Sequence, residues 1–226
     1  MEANNLQPVV PFQFRECVVI PKATGVKAAT VHELEDRIAA VSDESLYHHT
    51  YQYVLKGHLQ EYTNEFAEWA GESIEERALA EKFTNLDPYE LPSIEALREA
   101  LIRIIREYLE TNPEPRPVAK GNEFYFNETL TMIFNTSLRA RNLAEFLIAL
   151  QYLEPGSLYF HFYEARNRST ERTNDFSNWV RCTLEKEDLA TEIDRIDPFM
   201  FGLEGLRNQI VSLVDAELRK DMEGLA

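Results

Sequence analysis

The chain is written twice, and this constrains its fold more than any other feature. Phe12, Phe14, Thr24, Ala28, Glu33, Ser45, Leu46, Tyr47, His49 and Tyr51 recur 112 residues on, as Phe124, Phe126, Thr136, Ala140, Glu145, Ser157, Leu158, Tyr159, His161 and Tyr163. Two residues then drop out. Thr63, Asn64, Phe66, Trp69, Leu79, Ala80, Asp87 and Pro88 recur 110 residues on, from Thr173 to Pro198, and Glu95, Leu97, Arg98 and Leu109 recur 109 on, from Glu204 to Leu218. A period near 110 is too long, and two copies too few, for a solenoid. It predicts one compact, pseudo-symmetric body, or else two tightly docked domains: a first repeat over 1–111, a proline-rich linker over 112–121 and a second repeat over 122–226.

Each half opens on a strand signal, Pro11 to Ile20 and Glu123 to Asn135, the second with apolar residues alternating at period 2. Helices follow. Thr30 with Glu33, and Asn142 with Glu145, have the spacing of a capping box, in which cap oxygen and carboxylate satisfy free amides. Further helix starts fall near Ser42 and Pro155, at Asn64 and Asn174, and at Ser73 and Thr183. Asp87-Pro88 and Asp197-Pro198 precede a last amphipathic helix in each half. The fold class is therefore mainly α with a small β component (α+β): two tandem repeats of a strand and about five helices, related by a pseudo-twofold axis across which the strands pair. Asn112 to Gly121, with Pro113, Pro115 and Pro117, reads as an extended spacer.

Of the charged residues, 23 are basic and 39 acidic, for a net charge of −16. That field repels phosphate, so nucleic acid and anionic membrane are poor partners, whereas a basic partner or a metal is attracted. Met1 to Gln7 lacks the charged start and apolar run of a signal peptide, and no window approaches a membrane span. Cys17 and Cys182 fall at non-equivalent places in the repeat, which suits free thiols in a reducing cytoplasm.

No catalytic signature stands out, and eight glycines leave little for a nucleotide loop. Ala23-Thr24-Gly25-Val26-Lys27 reads as a turn between strand and helix. The best constellation is the duplicated Ser-Leu-Tyr…His. Ser45 and His49, like Ser157 and His161, are four apart and share a helix face. If the two helices meet at the pseudo-axis, His49 and His161 converge, with Glu164 and Arg166 beside His161 and Gln52 at the place of Glu164. Neutral imidazoles there suit a divalent metal, held by His49, His161 and Glu164, or a general base. Hydrogen-bonded interface residues are the plainer reading. A separate cluster of His48, His49 and His58 is a weaker metal candidate, since adjacent histidines point to different faces of a helix. The repeated Thr-Asn-acid-Phe…Trp segments could hold a polar ligand, but helix capping and core packing explain them better, as capping explains Glu33 and Glu145.

Over nearly its whole length the chain resembles an uncharacterised family of bacterial and archaeal proteins, labelled only as a domain of unknown function. The likeness rests on Phe12-Gln13-Phe14, Ala23-Thr24-Gly25-Val26-Lys27-Ala28, both Ser-Leu-Tyr…His segments, Asn64 to Trp69, His161 to Arg166 and Asn174 to Trp179. It implies no reaction, substrate or catalytic residue. The leading expectation is a non-catalytic cytoplasmic binding module. It would take a protein partner or small polar ligand in the inter-repeat groove, at His49, His161, Glu164, Arg166, Tyr47 and Tyr159. The alternative is a metal-dependent enzyme, a hydrolase or an oxygen-using one. A third reading is a homodimer paired through the exposed strand or final helix.

Overall fold

Two long strands and a series of mostly short helices make up the computed structural model, which describes residues 10–57, 61–169 and 171–224. The strands, β1 (Phe12–Ala28) and β2 (Phe124–Ala140), pair with each other in a two-stranded antiparallel sheet. Both outrun their sequence signals. The segment expected as a turn, residues 23–27, lies inside β1: Gly25 takes a left-handed φ of 80° there, and Thr24 bridges the strands by donating to the Phe126 carbonyl. Glycine makes that backbone affordable within a strand.

The chain forms two compact units, and they part inside the strands rather than at the proline-rich segment. One unit is Val19–Thr131. It holds α1 (Val31–Ala40), α2 (Asp43–His49), α3 (Glu65–Glu72), α4 (Arg77–Thr84) and α5 (Ile94–Thr111). Its core gathers Leu34, Ile38, Phe66, Trp69, Phe83, Leu101 and Ile105 around Phe124 and Phe126 from β2. Phe66 stacks on Phe124 with ring centroids 4.9 Å apart, and the Trp69 indole donates to the Asn122 carbonyl. Residues 112–121 are part of this unit. Arg116 donates to the Ile74 carbonyl and Val118 to that of Ala29, so the expected spacer is packed in place.

The other unit combines the described residues up to Val18 with those from Met132 onward. It holds α6 (Leu143–Tyr152), α7 (Pro155–Leu158), a π-helical segment (Tyr159–Glu164), α8 (Ala165–Arg168), α9 (Asp175–Leu184), α10 (Glu187–Asp194) and α11 (Leu203–Glu223). Here the core phenylalanines come from β1: Phe14 stacks on Phe146, and Phe12 meets Phe176 and the edge of Trp179. Each unit therefore takes its strand phenylalanines from the far part of the chain, so the bounds of the compact units differ from those of the repeats read over 1–111 and 122–226. Phe12, Phe14, Phe124 and Phe126 are all buried, at a gain of about 2 kcal/mol each over leaving the ring in water.

Helix starts follow the caps read from sequence. Thr30 accepts from the Glu33 amide and Asn142 from the Glu145 amide, while each glutamate reaches back to an amide just before the cap. Asn64 and Asn174 cap α3 and α9. The starts expected at Ser73 and Thr183 are misplaced by about a turn: Ser73 closes α3, and Thr183 still lies in α9. The break comes from Glu75 (φ 62°) and Glu185 (φ 55°), non-glycine residues in the left-handed region that no helix continues through. No helix among the described residues is long and apolar enough to cross a membrane.

Candidate functional site

The sequence singled out His49 and His161, and in the structure both serve the same local purpose. His161 sits in the π-helical segment, buried at 3 % exposure, in the unit that contains β1 up to Val18. Its Nε2 accepts the Arg15 backbone N–H at 2.8 Å, and its Nδ1 lies 2.8 Å from Asp175 Oδ2. A ring nitrogen that accepts from an amide carries a lone pair, so the neutral ring's proton is on Nδ1, donated to the carboxylate. Ser157, four residues earlier, donates its hydroxyl to the Arg15 carbonyl. Serine and histidine on one face thus grip both sides of a single strand residue. Arg168 closes the network, 3.2 Å from the same Asp175 oxygen, with its guanidinium over the Phe160 ring.

His49 repeats the pattern within Val19–Thr131. It is fully buried; Nε2 accepts the Asn127 N–H at 2.9 Å and Nδ1 faces Glu65 Oε2 at 2.8 Å. Lys56 stands where Arg168 stands, 3.2 Å from Glu65 Oε1. One contact is missing: the Ser45 hydroxyl is buried and has no hydrogen-bond partner among the described residues. Burial alone would raise the Glu65 carboxyl, but the His49 hydrogen bond and the cations beside it outweigh that and hold it at about 2. His161, by contrast, is held below the ordinary histidine value by burial, with Asp175 pulling the other way.

The other sequence candidates are also engaged within their own units. Tyr47 stacks on Tyr51 and Tyr159 on Tyr163, at 4.8 and 6.0 Å between centroids. Arg166 donates to the Asp194 and Ile196 carbonyls and lies over the Phe162 ring. Glu164 is half-buried, and burial raises its carboxyl; near it, the buried Cys17 thiol is pushed up to about 12 by the same cause, reinforced by the Glu164 and Glu16 charges. Cys17 and Cys182 are free thiols. Tyr47 and His49 belong to one unit; Tyr159, His161, Glu164 and Arg166 belong to the other.

Among the described residues, His48, His49 and Glu65 offer ligand atoms within 4.8 Å of one another. His48 directs Nδ1 to Gln52 and Nε2 toward Glu65, at 3.8 Å. His49 could join a metal there only by giving up the tautomer that the Asn127 amide imposes, and the Lys56 ammonium would have to leave Glu65. His58 lies outside the described residues.

A surface feature that sequence reading missed adjoins this network. A cleft of about 310 Å³ in Val19–Thr131 is lined by Glu65, Glu68, Trp69, Glu72 and Ser73 from α3 and its end, and by Glu123, Phe124, Tyr125 and Asn127 from β2 and the residue before it. Spacings of three, four and seven place the α3 residues on one helix face. The Glu123 carboxylate accepts from Lys27 Nζ at 3.0 Å and the Gly121 amide at 2.7 Å. Hydrogen bonds from backbone amides and from Lys27 hold it at about 2. Four carboxylates and three aromatic rings thus border one depression. The matching positions in the other half read Asp175, Asn178, Trp179, Cys182 and Thr183, with Pro11, Phe12, Gln13 and Arg15 on the strand side. Histidine, first acid, tryptophan and phenylalanine persist, but three of the four glutamates and the tyrosine do not.

Residues 9–215 match the signature of a family described as "Family of unknown function (DUF5752)". Among solved structures, the chain is similar to one described as "The structure of OrfY from Thermoproteus tenax", at 28% identity and a TM-score of 0.72, covering 92% of this chain and 95% of that one. No curated protein matches the chain.

Proposed function

Because the chain belongs to this family of unknown function, we propose its role from the residues themselves: a non-catalytic cytoplasmic module that binds a basic segment of a protein partner. In this reading the chain is an internal duplication, and its two histidine networks clamp strands rather than carry chemistry. The observation that carries it is the cleft at Glu65, Glu68, Glu72, Glu123 and Tyr125. Where the two halves agree, the shared residues build the core and the clamp; where they differ, one half has gathered glutamates and an exposed tyrosine around a depression. An arginine or lysine side chain suits such a site, with its charge facing the carboxylates and its flat or aliphatic part against an aromatic face. The net charge of −16 adds long-range attraction for a basic partner.

Calorimetric titration with an arginine-rich peptide, a lysine-rich peptide and an acidic control tests this. The basic peptides bind and the acidic one does not. Changing Glu68→Gln, Glu72→Gln and Tyr125→Gln together, which spares the clamp residue Glu65, weakens binding by about tenfold or more, in line with about 1.5 kcal/mol for lost charge-assisted contacts. Equal binding by wild type and variant, or no binding of either basic peptide, overturns the reading.

A metal-dependent enzyme is the second reading, favoured by the proximity of His48, His49 and Glu65. Elemental analysis of protein purified without chelator addresses it: about one equivalent of a divalent metal, lost in His48→Ala, supports it, and metal-free protein opposes it.

A further inference from the structure

Helix α6 has apolar residues on both of its faces. Leu143, Phe146, Ala149 and Leu150 are buried inside their unit, yet Ile148 is 59 % exposed and Tyr152 74 % exposed, with Ala144 and Gln151 also exposed and Leu147 half-buried beside them. Glu145 is the one charged residue in the helix, and it is occupied with the Arg141 amide at the helix start. An isolated exposed leucine or tyrosine needs no explanation, but a helix that repeats apolar residues at i, i+3, i+4 and i+8 on its outer face does.

The chain supplies its own control. The positions 112 residues earlier lie on α1, which buries Val31, Leu34 and Ile38 by the same pattern. Its outer face reads His32, Glu35, Asp36, Ala39 and Ala40 where α6 has Ala144, Leu147, Ile148, Gln151 and Tyr152. His32 is bonded to the Pro113 carbonyl and Glu35 is paired with Arg106 at 2.6 Å. One helix thus has the ordinary charged face of a solvated surface, and its counterpart has had those charges replaced by apolar side chains.

We propose that the outer face of α6 is a self-association surface, covered in solution by α6 of a second copy of this chain in an antiparallel, twofold pair. Three features favour a second copy over another occupant. First, the patch itself carries no acid, so contact between two copies buries no like charges, and the repulsion between chains of net charge −16 is left to the surrounding surface, where salt screens it. Second, the patch complements itself when reversed about a point between Leu147 and Ile148: each Leu147 faces the other copy's Ile148, and the small Ala144 lies near Gln151 and the large Tyr152 of the other helix. Third, the ends match in charge. Exposed Arg141 lies just before the helix and exposed Glu154 just after it, so an antiparallel pair sets each arginine against the other copy's glutamate. A helix of ten residues is about 15 Å long, which makes a small contact and a concentration-dependent dimer rather than a permanent one.

Sedimentation velocity on the full chain, from about 5 to 500 µM in physiological salt, reads this directly. The sedimentation coefficient rises from the monomer value toward that of a dimer. Ile148→Asp shifts the midpoint to at least about tenfold higher concentration; because the site is exposed, circular dichroism and melting temperature stay those of the wild type. Glu154→Arg weakens the dimer about threefold or more by opposing Arg141, and adding Arg141→Glu restores it. A wild type that stays monomeric throughout overturns the proposal, as does self-association that Ile148→Asp leaves unchanged. Failure of the double charge exchange to restore what the single one removed overturns the antiparallel register.

Discussion

Ser45 and Ser157 occupy matching positions in the sequence but not in energy. Ser157 donates to the Arg15 carbonyl, whereas the Ser45 hydroxyl is buried with no partner among the described residues. Removing a satisfied buried hydroxyl leaves its acceptor unpaired, and removing an unsatisfied one relieves a desolvation cost. Ser157→Ala should therefore lower unfolding free energy by about 1–2 kcal/mol, while Ser45→Ala is neutral or stabilising, as chemical denaturation can measure. The same scale yields a pH effect. Burial keeps the His161 pKa below its ordinary value, against the pull of Asp175, with Arg168 and Arg15 also lowering it. The unfolded chain takes up that proton first, so the contribution is complete above the unfolded value of about 6.5 and is lost as pH falls toward the folded one. Between pH 7.5 and 5.5 the wild type should lose more stability than His161→Gln; an equal loss would show that His161 is not the group responsible. The sequence made these histidines visible, because the matched Ser-Leu-Tyr…His segments marked them and the four-residue spacing to serine placed both on one face. It could not show that each would spend both nitrogens on a carboxylate and a strand amide, since Arg15 and Asn127 are distant in the chain.

At the scale of elements, local signals were legible and long-range ones were not. Caps at Thr30, Asn64, Asn142 and Asn174 are contacts between near neighbours, and their residue types announce them. The left-handed turns at Glu75 and Glu185 gave no such signal, because glutamate is an unusual residue there. Arg98 and Arg207 were visible as a matched pair, but their work is tertiary: Arg98 donates to the Ile38 and Val41 carbonyls and pairs with Asp43, and Arg207 donates to that of Leu150. Gly156 shows how closely elements meet. A Cβ there would collide with the Cys17 carbonyl oxygen, so α7 rests on β1 only because position 156 lacks a side chain. The matching position in the other half is Glu44, which is exposed. Gly156→Ala should cost about 1–3 kcal/mol by forcing helix and strand apart; a melting temperature equal to the wild type's would show that the contact relaxes freely.

For the whole molecule, the matched sequence segments announced two like sets of elements but not how they are assembled. Phe12-x-Phe14 and Phe124-x-Phe126 are the same signal, so nothing local says which helices each will join; the compact units combine each with the helices from the other part of the chain. The cleft was hidden for a related reason. Its carboxylates come from α3 and the start of β2, and only the fold brings them to one depression. In the proposed reading the histidines hold strands while the cleft at Glu68, Glu72 and Tyr125 does the binding. A two-dimensional ¹H–¹⁵N spectrum of the full chain, recorded as an arginine-rich peptide is added, tests both parts at once. Binding in the cleft gives shifts centred on residues 65–73 and 123–127, with the His49 and His161 rings remaining in the Nδ1–H form throughout. Shifts centred on His161, Glu164 and Arg166, or a change of tautomer at either histidine, would contradict it.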